Sequence, residues 1–139
     1  MYQIILHATD LSDAHFHWCQ QALAIAKRFD AELYLLHVIE PPASLQLAQG
    51  LGFAEFDYPV KEDAEAVLNT VGEALQIPAS HLFVEVGSIK NHTLEKIKTL
   101  DADLLIIGSH TPDRLPAFLG TTAHSIIEAV PCDILTLKK

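Results

Sequence analysis

The stretch Asp103-Leu104-Leu105-Ile106-Ile107-Gly108 runs through four aliphatic residues without interruption. A strand with one wet face alternates apolar and polar side chains, so an unbroken run suits a strand covered on both faces, as in a parallel sheet. Four other apolar runs of strand length accompany it: Tyr2 to Ala8, Ala31 to Ile39, His81 to Val86 and Cys132 to Leu137. Amphipathic stretches separate them. The alternation predicts βαβαβαβαβ, with right-handed crossovers that lay helices on both faces of the sheet.

The intervening stretches carry helical periodicity. From Ser12, an N-cap with Asp13 in the first turn, one apolar face takes in Phe16, Cys19, Ala22, Leu23, Ile25, Ala26 and Phe29, and Asp30 closes the helix. Ala64, Val67, Leu68, Val71 and Leu75 form the clearest helical stripe, which Pro78 prevents from continuing. A shorter helix carries Leu94, Ile97 and Leu100. The last is expected from Thr121 or Thr122 through Ile126, Ile127 and Val130, stopped by Pro131. Between Glu40 and Tyr58 the pattern breaks, with Pro41-Pro42, then Gly50, Gly52 and Pro59. That loop, residues 40–59, is far longer than the roughly 2 to 6 residues usual between elements of an α/β domain. Its Leu45, Leu47, Leu51, Phe53 and Phe56 suggest a flap that packs on the domain or on a second subunit.

Composition limits the classes. The chain has 139 residues, half of them hydrophobic, with a net charge of −9, which fits one globular domain over residues 1–139 and excludes disorder. The acidic balance argues against nucleic acid, which needs basic residues gathered on one face. No stretch is long and apolar enough to span a bilayer, and the first ten residues lack the positive region of a secretory signal, so a cytoplasmic protein is expected. Cys19 and Cys132 are expected as small buried thiols rather than a disulfide.

In an open parallel sheet, ligands bind beyond the carboxyl ends of the strands, where the strand order reverses. The first strand runs into Ala8-Thr9-Asp10-Leu11-Ser12-Asp13, the second ends in His37-Val38-Ile39-Glu40, and the fourth runs into Gly108-Ser109-His110-Thr111. Asp10, His37 and His110 should therefore gather at one edge, with His7 near them. The closing helix opens with Gly120-Thr121-Thr122-Ala123, whose free N–H groups and positive dipole end suit an anion.

These residues resemble a known family. Ile107-Gly108-Ser109-His110, Leu119-Gly120-Thr121-Thr122-Ala123 and Val130-Pro131-Cys132-Asp133-Ile134-Leu135 look like the carboxyl-terminal signature of universal stress proteins. Ile4 to Ser12 and Leu35-Leu36-His37-Val38 look like that family's first two strands. The resemblance covers nearly the whole chain. It implies a Rossmann-like, adenine-nucleotide alpha-hydrolase-like three-layer α/β sandwich with a five-stranded parallel sheet in the order 3-2-1-4-5. It also implies a homodimer paired through the final strand, Ile134 to Leu137, and a further protein partner for a signalling role.

The nucleotide motif of the family departs here from its binding form. Members that hold ATP read G-x2-G-x9-G-(S/T), whereas Thr111 stands at the second glycine and eight residues, Pro112 to Leu119, separate it from Gly120. A Cβ at position 111 hinders positive φ and close approach to a phosphate, and Pro112 and Pro116 stiffen the loop. The chain thus looks more like the family's non-nucleotide-binding subgroup. The resemblance still implies a weakened adenine-nucleotide site at Ala8, Thr9, Asp10, Val38, Gly108, Ser109, His110, Gly120, Thr121 and Thr122. Asp10 would sit near the base or ribose and Val38 would offer its backbone to adenine; ATP with Mg²⁺, or AMP, would be the ligand.

Other chemistries find less support. His15 and His17 diverge on a helix, and no Cys/His spacing suits a metal. Ser12, His110 and Asp10 have the types of a hydrolytic triad, but no strained nucleophile turn surrounds Ser12, so no dedicated catalysis is expected. A phosphoacceptor receiver would need an aspartate ending the third strand, where Val86-Gly87-Ser88 stands. The first loop lacks the cradle that FMN requires.

Overall fold

The computed structural model of the protein describes residues 1–11, 15–41, 58–108 and 128–138. Five strands, β1 (Ile4–Ala8), β2 (Glu32–Ile39), β3 (Leu82–Val86), β4 (Leu104–Gly108) and β5 (Asp133–Leu137), form one sheet in the order β3-β2-β1-β4-β5. Every pairing is parallel. Helices α1 (His15–Phe29), α2 (Tyr58–Leu75) and α3 (Ile89–Leu100) connect them, with a short 3₁₀ turn at Ala79–His81. Glu128 and Ala129 are helical, Val130, expected within the closing helix, already lies past its end, and residues 121–127 of that expected helix lie outside the described residues, as do Ser12 and Asp13.

The unbroken run in β4 feeds two cores. Leu104 and Ile106 face α1 and α2, together with Ile5, Leu33, Leu35, Cys19, Ala22, Leu68 and Val71. Leu105 and Ile107 face α3, with Leu6, Ala8, Leu36, Val38, Ile89 and Ile97. The layers are thus helix, sheet and helix, as the apolar runs require.

Two helical faces differ from expectation. The buried side of α1 is Trp18, Cys19, Ala22 and Ala26, while Phe16 is 38% and Phe29 37% exposed. Small residues let α1 lie close to the sheet, which turns the two phenylalanines outward. On α2, Ala64, Leu68 and Val71 are buried, and Val67 is turned out at 41%. That helix begins at Tyr58, so Pro59 belongs to its first turn rather than to the preceding loop; its missing N–H is no loss there. Residues 42–57 of that loop lie outside the described residues.

Helices α1, α2 and α3 each end on a residue with positive φ, Asp30, Gln76 and Asp101, and the next residue donates its N–H back to the helix, Ala31 to Ala26, Ile77 to Gly72 and Ala102 to Ile97. These closures satisfy terminal carbonyls and aim the chain straight into the next strand or turn. At the amino end of the sheet, the Asp103 carboxylate accepts from the N–H groups of Gln3 and Ile4, fixing β1 against β4 before the ladder begins. Both cysteines are free, Cys19 buried and Cys132 half-buried.

Candidate functional site

The site builds upward from the end of β1. Thr9 follows the last strand residue, and all of its polar groups are engaged. Its N–H donates to the Leu36 carbonyl at 2.8 Å, and its own carbonyl accepts from His37 Nδ1 at 2.8 Å. Its hydroxyl accepts from the Leu11 N–H at 3.2 Å. Leu11 is held at φ +54°, a conformation that costs a residue with a Cβ roughly 1–2 kcal/mol and persists only where its surroundings impose it. The resulting turn leaves Asp10 exposed at the carboxyl edge of the sheet.

Histidines serve this region as clasps. His7, 1% exposed, bonds through Nδ1 to the Ile106 carbonyl on β4 at 2.9 Å. Because a carbonyl only accepts, Nδ1 carries the proton in both His7 and His37, and Nε2 is the unprotonated nitrogen of the neutral ring. Burial lowers the His7 pKa to about 4, against the opposing pull of the Ile106 carbonyl and Asp10. Burial also lowers that of His37, opposed by the Thr9 carbonyl and Asp10 and reinforced by His15. His81 repeats the device at the other end of β2, where Nδ1 meets the Leu33 carbonyl at 2.9 Å.

The end of β4 is built differently. A Cβ on Gly108 would lie 2.9 Å from Trp18 Cδ1 and 3.1 Å from its Nε1, so the indole occupies the α1-facing side of this glycine. Trp18 is 3% exposed. Its Nε1 and the Nε2 of His7 are buried with no hydrogen-bond partner among the described residues. Next to Trp18, Cys19 is wholly buried, and burial pushes its thiol up to about 12, which makes it unreactive.

At β3 the same edge is already occupied. The Ser88 hydroxyl accepts from Asn91 N–H, and a Glu40 carboxylate oxygen accepts from Ile89 N–H, so side chains of the protein take up the positive end of α3.

Among the expected site residues, Ala8 and Val38 are buried on the α3 side of the sheet, Thr9 is buried in the turn, and Gly108 is half-buried beneath Trp18. Of the expected trio Asp10, His37 and His110, His37 bonds to the carbonyl of Thr9, the residue before Asp10, and His110 lies outside the described residues. His7 lies within the core rather than at the edge, because its odd register on β1 points it beneath α1. Ser109, His110, Gly120, Thr121 and Thr122 lie outside the described residues. Sequence reasoning missed Trp18; its one available signal was a lone tryptophan four residues before Ala22 on the helix that faces the sheet. Among the described residues no group of three or more His, Cys, Asp or Glu is arranged to hold a metal, and no helix is long and apolar enough to cross a membrane.

Comparison with known proteins gives one family. A model described as "Universal stress protein family" matches residues 1–138. A curated relative from Coxiella burnetii, "Universal stress protein A homolog 2", is 30% identical over 120 residues, 86% of this chain and 82% of that protein. Among solved structures, the hypothetical protein MJ0577 superposes with a TM-score of 0.76 at 21% identity, covering 100% of this chain and 97% of the other. A universal stress protein crystallised with cAMP gives 0.70 at 19% identity, covering 99% and 97%.

Proposed function

This chain belongs to the universal stress protein family, and from that premise we propose a homodimeric binding and signalling module of the cytoplasmic stress response, without dedicated catalysis. In this reading it keeps the base-and-ribose half of an adenine-nucleotide site, around Thr9, Asp10 and Val38, and has a weakened phosphate half. The observation that carries it is the fully bonded turn at Thr9, which presents the Asp10 carboxylate where ribose hydroxyls could donate to it. On the phosphate side, Trp18 fills the α1-facing space at Gly108, and the loop beyond has lost a glycine and one residue of length. Tight triphosphate binding needs close backbone approach and free N–H groups, which that combination disfavours.

The dimer reading rests on the two outer strands. At the β3 edge, Glu85 pairs with His92 at 2.7 Å and Lys96 at 2.6 Å, and Lys96 lies over the Phe83 ring. Charged groups of this kind blunt an edge against pairing. β5 instead reads Asp-Ile-Leu-Thr-Leu with Leu135 37% exposed, and Asp133 is occupied by the Tyr2 hydroxyl at 2.7 Å. An apolar edge of this kind suits self-pairing across a two-fold axis.

Calorimetric titration with ATP, ADP and AMP, with and without Mg²⁺, tests the site: the expected result is weak heat that saturates only at millimolar ligand, with a matching rise in melting temperature. No heat and no thermal shift at those concentrations would remove the nucleotide. Light scattering after size exclusion should give about twice 15.3 kDa, and a monomer at micromolar protein would remove the dimer.

A further inference from the structure

We infer that His37 is a positioning residue for the proposed nucleotide site: through its Nδ1–H bond to the Thr9 carbonyl, it holds the β1 exit turn in the one conformation that presents Asp10 to the ligand. The inference rests on the nucleotide reading above and goes beyond it, because it assigns the geometry of Asp10 to a side chain from another strand.

Three observations converge on it. The turn contains Leu11 at φ +54°, which a leucine does not adopt without outside support. Support within the turn comes from the Thr9 hydroxyl accepting the Leu11 N–H, but this bond joins two members of the same short segment and cannot anchor it to the fold. Anchoring comes from β2, through the Leu36 carbonyl and through His37 Nδ1, which lies 2.8 Å from the Thr9 carbonyl at a sequence separation of 28. The His37 backbone is itself fixed, since β2 lies between β1 and β3 and His37 pairs with Val84. Its ring is half-buried, so water competes poorly for the Thr9 carbonyl. Neutral imidazole already carries the required Nδ1–H, and protonation would add a proton only at Nε2, so the clasp does not depend on charge.

Asn and Leu variants separate geometry from bulk. The amide nitrogen of Asn can occupy the place of Nδ1 and donate to the same carbonyl, whereas Leu fills the space without donating. Calorimetry with AMP and ATP should give about tenfold weaker binding for His37→Leu and near-native binding for His37→Asn, the difference expected of one lost half-buried hydrogen bond. Amide hydrogen exchange at Leu11, followed by NMR, should accelerate about tenfold in His37→Leu and stay near native in His37→Asn. In an Asp10→Asn background, His37→Leu should add little further loss, because its effect passes through Asp10.

If the wild type binds but His37→Leu binds as tightly, or its Leu11 exchange is unchanged, or its full effect survives in the Asp10→Asn background, the positioning role is overturned and the nucleotide reading stands. If the wild type shows no binding, the nucleotide reading fails and this assignment fails with it.

Discussion

β1 and β4 are neighbours that end at the same edge of the sheet, yet their ends are held by different means. Beyond β1, Thr9 is bonded at its N–H, carbonyl and hydroxyl, and the turn leaves Asp10 exposed. At the last residue of β4, Gly108 is instead roofed by the Trp18 indole. The end of β1 is organised by polar groups, and the last residue of β4 is packed by an aromatic ring. The difference teaches that glycine at a motif position does not by itself mark a phosphate contact. At 108, the missing Cβ is already needed for the close approach of Trp18.

The largest effect should come from removing the roof. Trp18→Ala deletes a side chain 3% exposed that packs on Gly108, and a truncation of this size costs about 3–5 kcal/mol. Urea unfolding would measure it, and a loss below about 1 kcal/mol would show that the indole is not what holds this exit.

A smaller effect belongs to His7, the residue that ties the two strands together. Its folded pKa of about 4 lies below the ordinary 6.5, so the unfolded chain takes up the proton first. Stability from this group is therefore full above pH 6.5 and is lost as pH falls towards about 4, by about 3 kcal/mol in all. His37 titrates in the same sense. His7→Asn keeps a donor for the Ile106 carbonyl but does not titrate, so unfolding free energies between pH 7 and 4 should fall less steeply in the variant. Parallel curves for the two proteins would contradict the assignment.

Much of the architecture was legible because burial on both faces leaves an unmistakable run, as in Leu104 to Ile107. The strand starts were less so. Tyr2 and Gln3 continue the apolar or extended pattern but precede the β1 ladder, where the Asp103 carboxylate receives the N–H of Gln3. His81 looks like the first residue of β3, yet it closes a 3₁₀ turn, and its ring clasps the Leu33 carbonyl instead. The strand order and the nucleotide roles of Asp10 and Val38 came from the family resemblance, since periodicity specifies faces but not neighbours, whereas Asp10, His37, His110 and Gly120 to Thr122 were singled out by following each strand to its carboxyl end and the closing helix to its start. Two features of the site had no local signal. Leu11 at positive φ contradicts its own propensity, in a turn whose Thr9 is bonded to Leu36 and His37 on β2, and the meeting of Trp18 with Gly108 is a tertiary contact between residues 90 positions apart. Such places, where local preference loses to long-range bonding, are where a functional edge is expected.

The central claim is that the exit of β1 is competent for an adenine ligand while the segment leaving β4 limits the phosphates. Its most direct test compares ATP and AMP titrations of the native chain with those of a variant carrying Thr111→Gly and one residue inserted before Gly120. The account predicts about tenfold tighter ATP binding in the variant, ~1.4 kcal/mol, with AMP affinity changed far less. Equal ATP affinity in the two proteins would contradict it.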